Sequence, residues 1–418
     1  MRRLARQLRS WYDYSYFQVS NEWPVLLSVA GVILGAWTIL PSSVGIALGA
    51  VAFIVGLGAF LRDVHDFRRR WGDFEFTAIA APFPTATIPP PSAYPAPKYL
   101  YVPNRGTALI SDLIDEIVAG QPIQVQLDAE PYRLPKKLKG TAPYVLREAR
   151  RGRVLFNGEI IGMHGDPIPP GPVPPPPIRI HIARFFDAQC SNEMCNLQIT
   201  HRSGEQDYDP RSELLVNANG QLRTLAESTL ADCIGISTIA FTADNELVLT
   251  RQTTRNIASP RLLAPSGSGS LDLRDLRPAD SGAGYQPVQA LQDIVRHGME
   301  RELCEETGIR PDEIVGTKVI GFARWLERGA KPEFFGVTEL SVTAAALGGQ
   351  RRLASDEKLF TDGTFTLKVD LTHVGRDLAA GNDLLSIASL PARIKDQGSL
   401  PLLLALRTAA LRQASAVR

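Results

Sequence analysis

Arg301-Glu302-Leu303-Cys304-Glu305-Glu306-Thr307-Gly308-Ile309 is the stretch on which the reading of this chain turns. Glu302, Glu305 and Glu306 stand at i, i+3 and i+4, so on a helix they share one side, spanning an arc of roughly 100°. Leu303 marks the neighbouring apolar side. Clustered carboxylates repel one another, and a helix gains nothing from them on its own. A hard divalent cation removes that repulsion, and Mg²⁺ takes oxygen ligands of this kind. Arg301 is placed to hold one carboxylate in orientation. Gly308 fits the left-handed position that ends a helix.

The segment resembles the core of the Nudix box, G-x5-E-x7-R-E-U-x-E-E-x-G-U with U aliphatic. Every specified position from Arg301 onward matches. Upstream, Asp293 stands where the pattern has its first Glu, and Pro287 stands where it has Gly. The competing reading is an ordinary amphipathic helix rich in glutamate. The resemblance implies an α/β/α sandwich with Glu302, Glu305 and Glu306 binding Mg²⁺ or Mn²⁺, and Arg301 beside them. The implied ligand carries a diphosphate.

Outward from this core, the pattern supplies the flanking elements. Ile236 to Thr242 and Glu246 to Arg251 read as a hairpin turning at Ala243-Asp244-Asn245. Pro265 to Gly269 reads as a flexible glycine loop. Gln286, Pro287 and Val288 start the acidic helix, whose stripe is Val288, Leu291, Val295, Met299 and Leu303. Leu271 to Gln286 is an insertion between loop and helix, longer than most connections. Lys318 to Leu326 and Glu333 to Leu340 read as strands around Arg328 to Pro332, and Leu402 to Arg412 as a last helix. Arg251, Arg255, Arg324 and Lys331, near strand ends, are the candidates for phosphate contacts. Taken singly, each is equally read as solvated surface charge. Glu333, Glu339 and Glu357 are the candidate general bases outside the box.

At 418 residues the chain exceeds one compact core. Lys+Arg 45 against Asp+Glu 44 leaves no basic field for direct nucleic-acid binding. Cys190, Cys195, Cys233 and Cys304 are too few for a disulfide framework and read as reduced and structural.

The N-terminal part is of a different kind. Trp23 to Leu40 and Val44 to Leu61 are two apolar stretches of 18 residues. As helix each is about 27 Å long, close to the roughly 30 Å of hydrocarbon in a bilayer. Pro41-Ser42-Ser43 alone separates them, which predicts a transmembrane hairpin. A signal peptide accounts for one such stretch but not for two back to back. Arg2, Arg3, Arg6 and Arg9 precede the hairpin and Arg62, Arg68, Arg69 and Arg70 follow it. The positive-inside rule then puts both termini and the main domain of a two-pass protein in the cytoplasm. Gly31 and Gly35, then Gly45 and Gly49, form two G-x-x-x-G faces that allow helices to pack closely, within one hairpin or between copies in a homo-oligomer.

The sequence thus divides into a basic N-terminus (1–22), the hairpin (23–61), a basic and proline-rich linker (62–97), an extension with a second proline tract (98–177) and a Nudix-like α/β/α domain (178–418). Pro82 to Pro97 reads as a semi-rigid spacer. In the extension, Thr107 to Val118 and Ala142 to Arg151 read as helices. Arg153 to Gly162 reads as a strand pair, and Ile178 to Phe186 as a strand.

Two spans followed by a Nudix-like domain resemble the transmembrane effectors of bacterial cyclic-oligonucleotide antiphage systems (CBASS). That resemblance implies a nucleotide or cyclic-nucleotide ligand made by a functionally linked nucleotidyltransferase, a homo-oligomer, and membrane lipid as target. The alternative is a membrane-tethered, Mg²⁺-dependent Nudix hydrolase of a nucleoside diphosphate derivative.

Overall fold

The computed structural model describes residues 2–21, 31–32, 53–54, 56–62, 65, 74–79, 82–150, 155–168, 176–203, 207–253, 261–276, 288–347 and 361–416. They form a mixed α/β protein of two compact units, each assembled from separate lengths of chain. Unit 1 takes residues 1–79, 133–158 and 184–210, and unit 2 takes residues 80–132, 159–183 and 211–418.

In unit 1, a helix Arg2–Asn21 precedes strand β1 (Phe74–Ala78). β1 pairs antiparallel with β7 (Leu197–His201), which pairs with β8 (Asp207–Tyr208). The helix Ala142–Arg150 forms as expected, and Tyr144 on it stacks on Phe76 of β1 with ring centroids 5.9 Å apart. The expected strand at Arg153 is absent from the described residues 155–158. Asn157 instead tethers two helices: its N–H donates to Asp13 Oδ2 and its Oδ1 accepts from Phe186 N–H. Most of the expected hairpin at 23–61 lies outside the described residues, as do Gly35, Gly45 and Gly49. Gly31 and Gly56 are described: a Cβ on Gly56 would sit 3.3 Å from the Gly31 carbonyl carbon, so the two stretches meet backbone to backbone there. Among the described residues no helix is long and apolar enough to cross a membrane.

Unit 2 carries the main sheet. Its order is β11 (Leu263–Ala264), β10 (Glu246–Gln252), β9 (Gly235–Phe241), β15 (Lys331–Leu340), β14 (Ile314–Trp325), β3 (Gly106–Ile110) and β2 (Lys98–Val102). β12 (Gly267–Ser270) also pairs with β9, and β16 (Thr361–Lys368) with β10. β9 is buried along its whole length, as a strand covered on both faces must be. On one face Leu303 of the acidic helix packs with Ala240 and Val248. On the other, Ile239, Phe241, Leu247 and Leu249 pack with the C-terminal helix Leu400–Ala416. The expected helix–sheet–helix layering is therefore present. A smaller sheet runs β13 (Val288–Ala290), β4 (Gln124–Leu127), β6 (Ile178–Arg184), β5 (Glu159–His164).

Four sequence expectations change. Residues 106–110 are strand, and the helix starts only at Asp112, because the Ser111 side chain caps it by accepting from Ile114 N–H. Val288 belongs to β13, and the acidic helix runs Leu291–Thr307. Pro265 to Gly269 is no flexible loop, since Gly267–Ser270 pairs in register with Gly235–Thr238. Residues 82–97 are no free spacer: Phe83, Ile88 and Tyr94 are buried.

The helix Asp112–Gly120 also buries a carboxylate. Asp115 accepts from Phe322 N–H and from Thr408 Oγ1–H. Burial outweighs these bonds and raises its pKa to about 7. The folded state then holds a proton that the unfolded state releases, so stability falls as pH rises from about 4 to about 7. Asp115→Asn is expected to flatten that dependence, with the wild type losing up to about 4 kcal/mol across the window. Urea unfolding of both proteins at pH 4.5 and 7.5 measures it, and parallel pH profiles would refute it.

Candidate functional site

The acidic helix ends where the sequence places its end: Gly308 is left-handed at φ 71° and its N–H bonds to Cys304 O. β12 lies flat against the helix's last turns. A Cβ on Gly267 would come within 2.5 Å of Leu303 N, and one on Gly269 within 2.2 Å of Glu302 Oε1. Glycine is therefore required at 267 for strand and helix backbones to approach this closely, whereas a side chain at 269 would displace the Glu302 carboxylate. The approach brings backbone donors and acceptors to the carboxylates. Ser268 N–H donates to Glu306 Oε2 at 3.1 Å, and Ser270 O accepts from Arg301 at 3.2 Å.

Arg301 is the hub. Its Nε and Nη2 donate to the two oxygens of Asp275 at 2.8 and 2.9 Å. Its Nη1 donates to Glu302 Oε1 at 2.8 Å and to Glu305 Oε2 at 3.2 Å. Burial opposes its charge, but the surrounding carboxylates more than compensate, and its pKa rises. Asp275 is in turn fixed by Asp272 N–H, and Arg274 bridges Asp272 and Glu305.

Four carboxylates (Glu302, Glu305, Asp272 and Asp275) thus meet two guanidinium groups, with Glu306 held beside them by Ser268 N–H. Glu305 is the most open of the box glutamates, with a third of its side chain exposed against 14% for Glu302. The net negative charge and the all-oxygen donor set fit a hard divalent cation. As arranged here, Arg301 bridges two of the three glutamates. Among the described residues no three His, Cys, Asp or Glu side chains converge as a preformed metal site. Cation binding therefore requires Glu305 to turn from Arg301. Cys304 offers no nucleophile: burial and nearby carboxylates push its thiol up to about 11. The other three cysteines are buried thiols, not disulfides.

Asp275, Asp272 and Arg274 were missed from sequence. The D-x-x-D spacing of Asp272 and Asp275, which makes a capping box here, is the one local signal they give. Asp293, at the box's first acidic position, pairs instead with Arg296 at 2.9 Å.

The candidate phosphate contacts fare differently. Arg251 is exposed on β10, and Arg255 lies outside the described residues. Arg324 and Lys331 are buried and cannot meet a ligand as placed. Arg324 Nε donates to Ala330 O at 2.9 Å, and its Nη1 donates to Arg223 O and lies 3.9 Å from Asp166. Lys331 pairs with Glu333 at 2.6 Å, and burial lowers its pKa. Glu333 is thereby engaged. Glu339 is exposed at the far end of β15, beside a cleft of about 1470 Å³ on the C-terminal-helix side, and Glu357 lies outside the described residues.

The sequence matches no protein-family model and no curated protein. Among solved structures, part of the chain is similar to DR0079 from Deinococcus radiodurans at 16% identity and TM-score 0.22, covering 40% of this chain and 89% of that one. It is also similar to the MutT protein from Methanosarcina mazei Go1 at 15% identity and TM-score 0.22, covering 44% of this chain and 95% of that one.

Proposed function

We propose that this chain is a membrane-anchored effector of a CBASS-type antiphage system. In this reading its Nudix-like unit binds a cyclic nucleotide messenger, and binding associates the hairpins at 23–61 so that they disrupt the inner membrane. A linked nucleotidyltransferase would supply the messenger.

What favours sensing over turnover is the position of the two candidate bases that lie among the described residues. Glu333 is buried against Lys331, and Glu339 sits opposite Phe241, at the other end of β9 from the residues that pair with β12. At about 3.4 Å per residue, Glu339 stands on the order of 20 Å from the acidic cluster. Neither serves a water held there. The intact Arg301–Ile309 core is what favours the alternative, a Mg²⁺-dependent hydrolase.

In either case Glu302, Glu305 and Glu306 would hold Mg²⁺ or Mn²⁺. When bound, the cation neutralises phosphate charge and acidifies a coordinated water. Asp275 and Ser270 O fix Arg301, which aligns Glu302 and Glu305. Ser268 N–H fixes one oxygen of Glu306. Ligand-driven association of these domains would raise the local concentration of the attached hairpins.

The full chain in lipid nanodiscs, given Mg²⁺ and a panel of cyclic oligonucleotides and nucleoside diphosphate derivatives, tests this by calorimetry and product analysis. A cyclic oligonucleotide is expected to bind without release of phosphate or nucleoside monophosphate. Glu305→Gln should weaken it about tenfold, or ~1.4 kcal/mol. Release of either product, lost in Glu305→Gln, would instead identify the hydrolase.

A further inference from the structure

The helix Arg2–Asn21 has one face built into unit 1. Ser10 and Phe17 are buried, Phe17 meets Phe186 edge-on at 5.6 Å, and Asp13 accepts from Asn157 N–H at 3.0 Å. The opposite face carries Leu8, Trp11, Tyr12 and Tyr16, exposed by 58%, 63%, 63% and 52%. At 100° per residue these four span an arc of roughly 140° centred opposite Ser10 and Phe17. Together they make an exposed apolar patch that none of the described residues of unit 1 covers. Tyr12 and Tyr16 stack with centroids 6.1 Å apart, leaving a flat amphipathic surface.

We infer that this helix lies in the headgroup layer of an anionic bilayer, with Trp11, Tyr12, Tyr16 and Leu8 facing the lipid. Three features select lipid as the occupant. Trp and Tyr have an apolar ring and a polar handle, which suits them to the membrane interface rather than to water or hydrocarbon. Arg9 is exposed at the edge of this face and adds a positive charge, which anionic lipid complements. Only Glu22 separates the helix end at Asn21 from the apolar stretch beginning at Trp23. Two residues reach at most about 7 Å, so if that stretch enters the bilayer the helix ends at its surface. The inference rests on the hairpin reading of 23–61. It adds that the preceding segment is an interfacial anchor, buried roughly 5–10 Å into the headgroup boundary, rather than a cytoplasmic tail.

Fluorescence quenching of the full chain tests it, in vesicles of phosphatidylethanolamine and phosphatidylglycerol. The difference between wild type and Trp11→Phe isolates the emission of Trp11, and the difference between wild type and Trp37→Phe isolates that of Trp37. Lipids brominated near the headgroup are expected to dim the Trp11 signal roughly twofold, while aqueous iodide leaves it unchanged. Quenching by iodide and not by bromolipid would overturn the inference. Shielding from both would also overturn it, because a second copy of the chain or another protein would then cover the face. Lipids brominated deep in the acyl chain report on Trp37 separately. If they leave Trp37 bright, the hairpin reading fails, while the Trp11 result still decides the interfacial helix.

Discussion

Arg324→Ala is expected to destabilise unit 2 by about 3–5 kcal/mol, because it strands buried partners rather than removing a surface charge. The guanidinium exposes 1% of its surface. It faces Asp166, whose own oxygens are taken by Tyr94 O–H and by Leu225 N–H at 2.7 Å. Burial raises the pKa of Asp166 and Arg324 opposes that shift, so losing Arg324 leaves a carboxylate that burial disfavours. Arg324→Lys should recover little, since an ammonium cannot bond to Ala330 O and Arg223 O together as the planar guanidinium does. Thermal unfolding should show a drop on the order of 10 °C. An alanine variant that melts with the wild type but loses ligand binding would restore Arg324 as a phosphate contact.

Arg301→Ala is the second large effect. It leaves Asp275, 3% exposed, and Glu302, 14% exposed, without the cation that both face. The expected loss is about 2–4 kcal/mol, less than for Arg324 because Glu305 is partly solvated. The variant also makes a sharper test of the metal reading. With the guanidinium gone, the glutamates are free to take a divalent ion. Mg²⁺ at a hundred times its Kd would then return about 2.7 kcal/mol. Melting curves with Mg²⁺ against EDTA decide the matter. A Mg²⁺-dependent rise in Tm larger in Arg301→Ala than in wild type supports it, and no rise in either sinks the cation site.

The acidic helix was legible because its pattern is local. Leu291, Val295, Met299 and Leu303 repeat with helical spacing and are all buried, and Gly308 stops the helix. The β9–β10 hairpin was legible for the same reason, with Asn245 at φ 59° in its turn. What failed depended on partners far away in sequence. Residues 107–110 read as helix because Leu109, Leu113 and Ile114 fit a helical stripe, yet Ile110 pairs with Ala323 and Leu113 is exposed. Gly267 and Gly269 suggested flexibility, whereas Gly267 lets a helix backbone close on the strand and Gly269 leaves room for the Glu302 carboxylate. Arg324 and Lys331 had the charge of phosphate ligands, and nothing local announced that Asp166 and Glu333 would be close by. The carboxylate that orients Arg301 is supplied by Asp275, 26 residues away and outside the helix.

The pairing of β1 with β7 has a consequence for how this protein is made. Ala78 at the end of β1 lies opposite Leu197 at the start of β7. The ribosome must therefore add more than a hundred residues before the first strand meets its neighbour. At about 5–20 residues per second, β1 waits on the order of ten seconds without a hydrogen-bonding partner. The apolar stretches at 23–61 are made before β1 itself, ahead of the β1–β7 pairing. On the proposed membrane reading of 23–61, insertion of those stretches and closure of unit 1 would be separate in time.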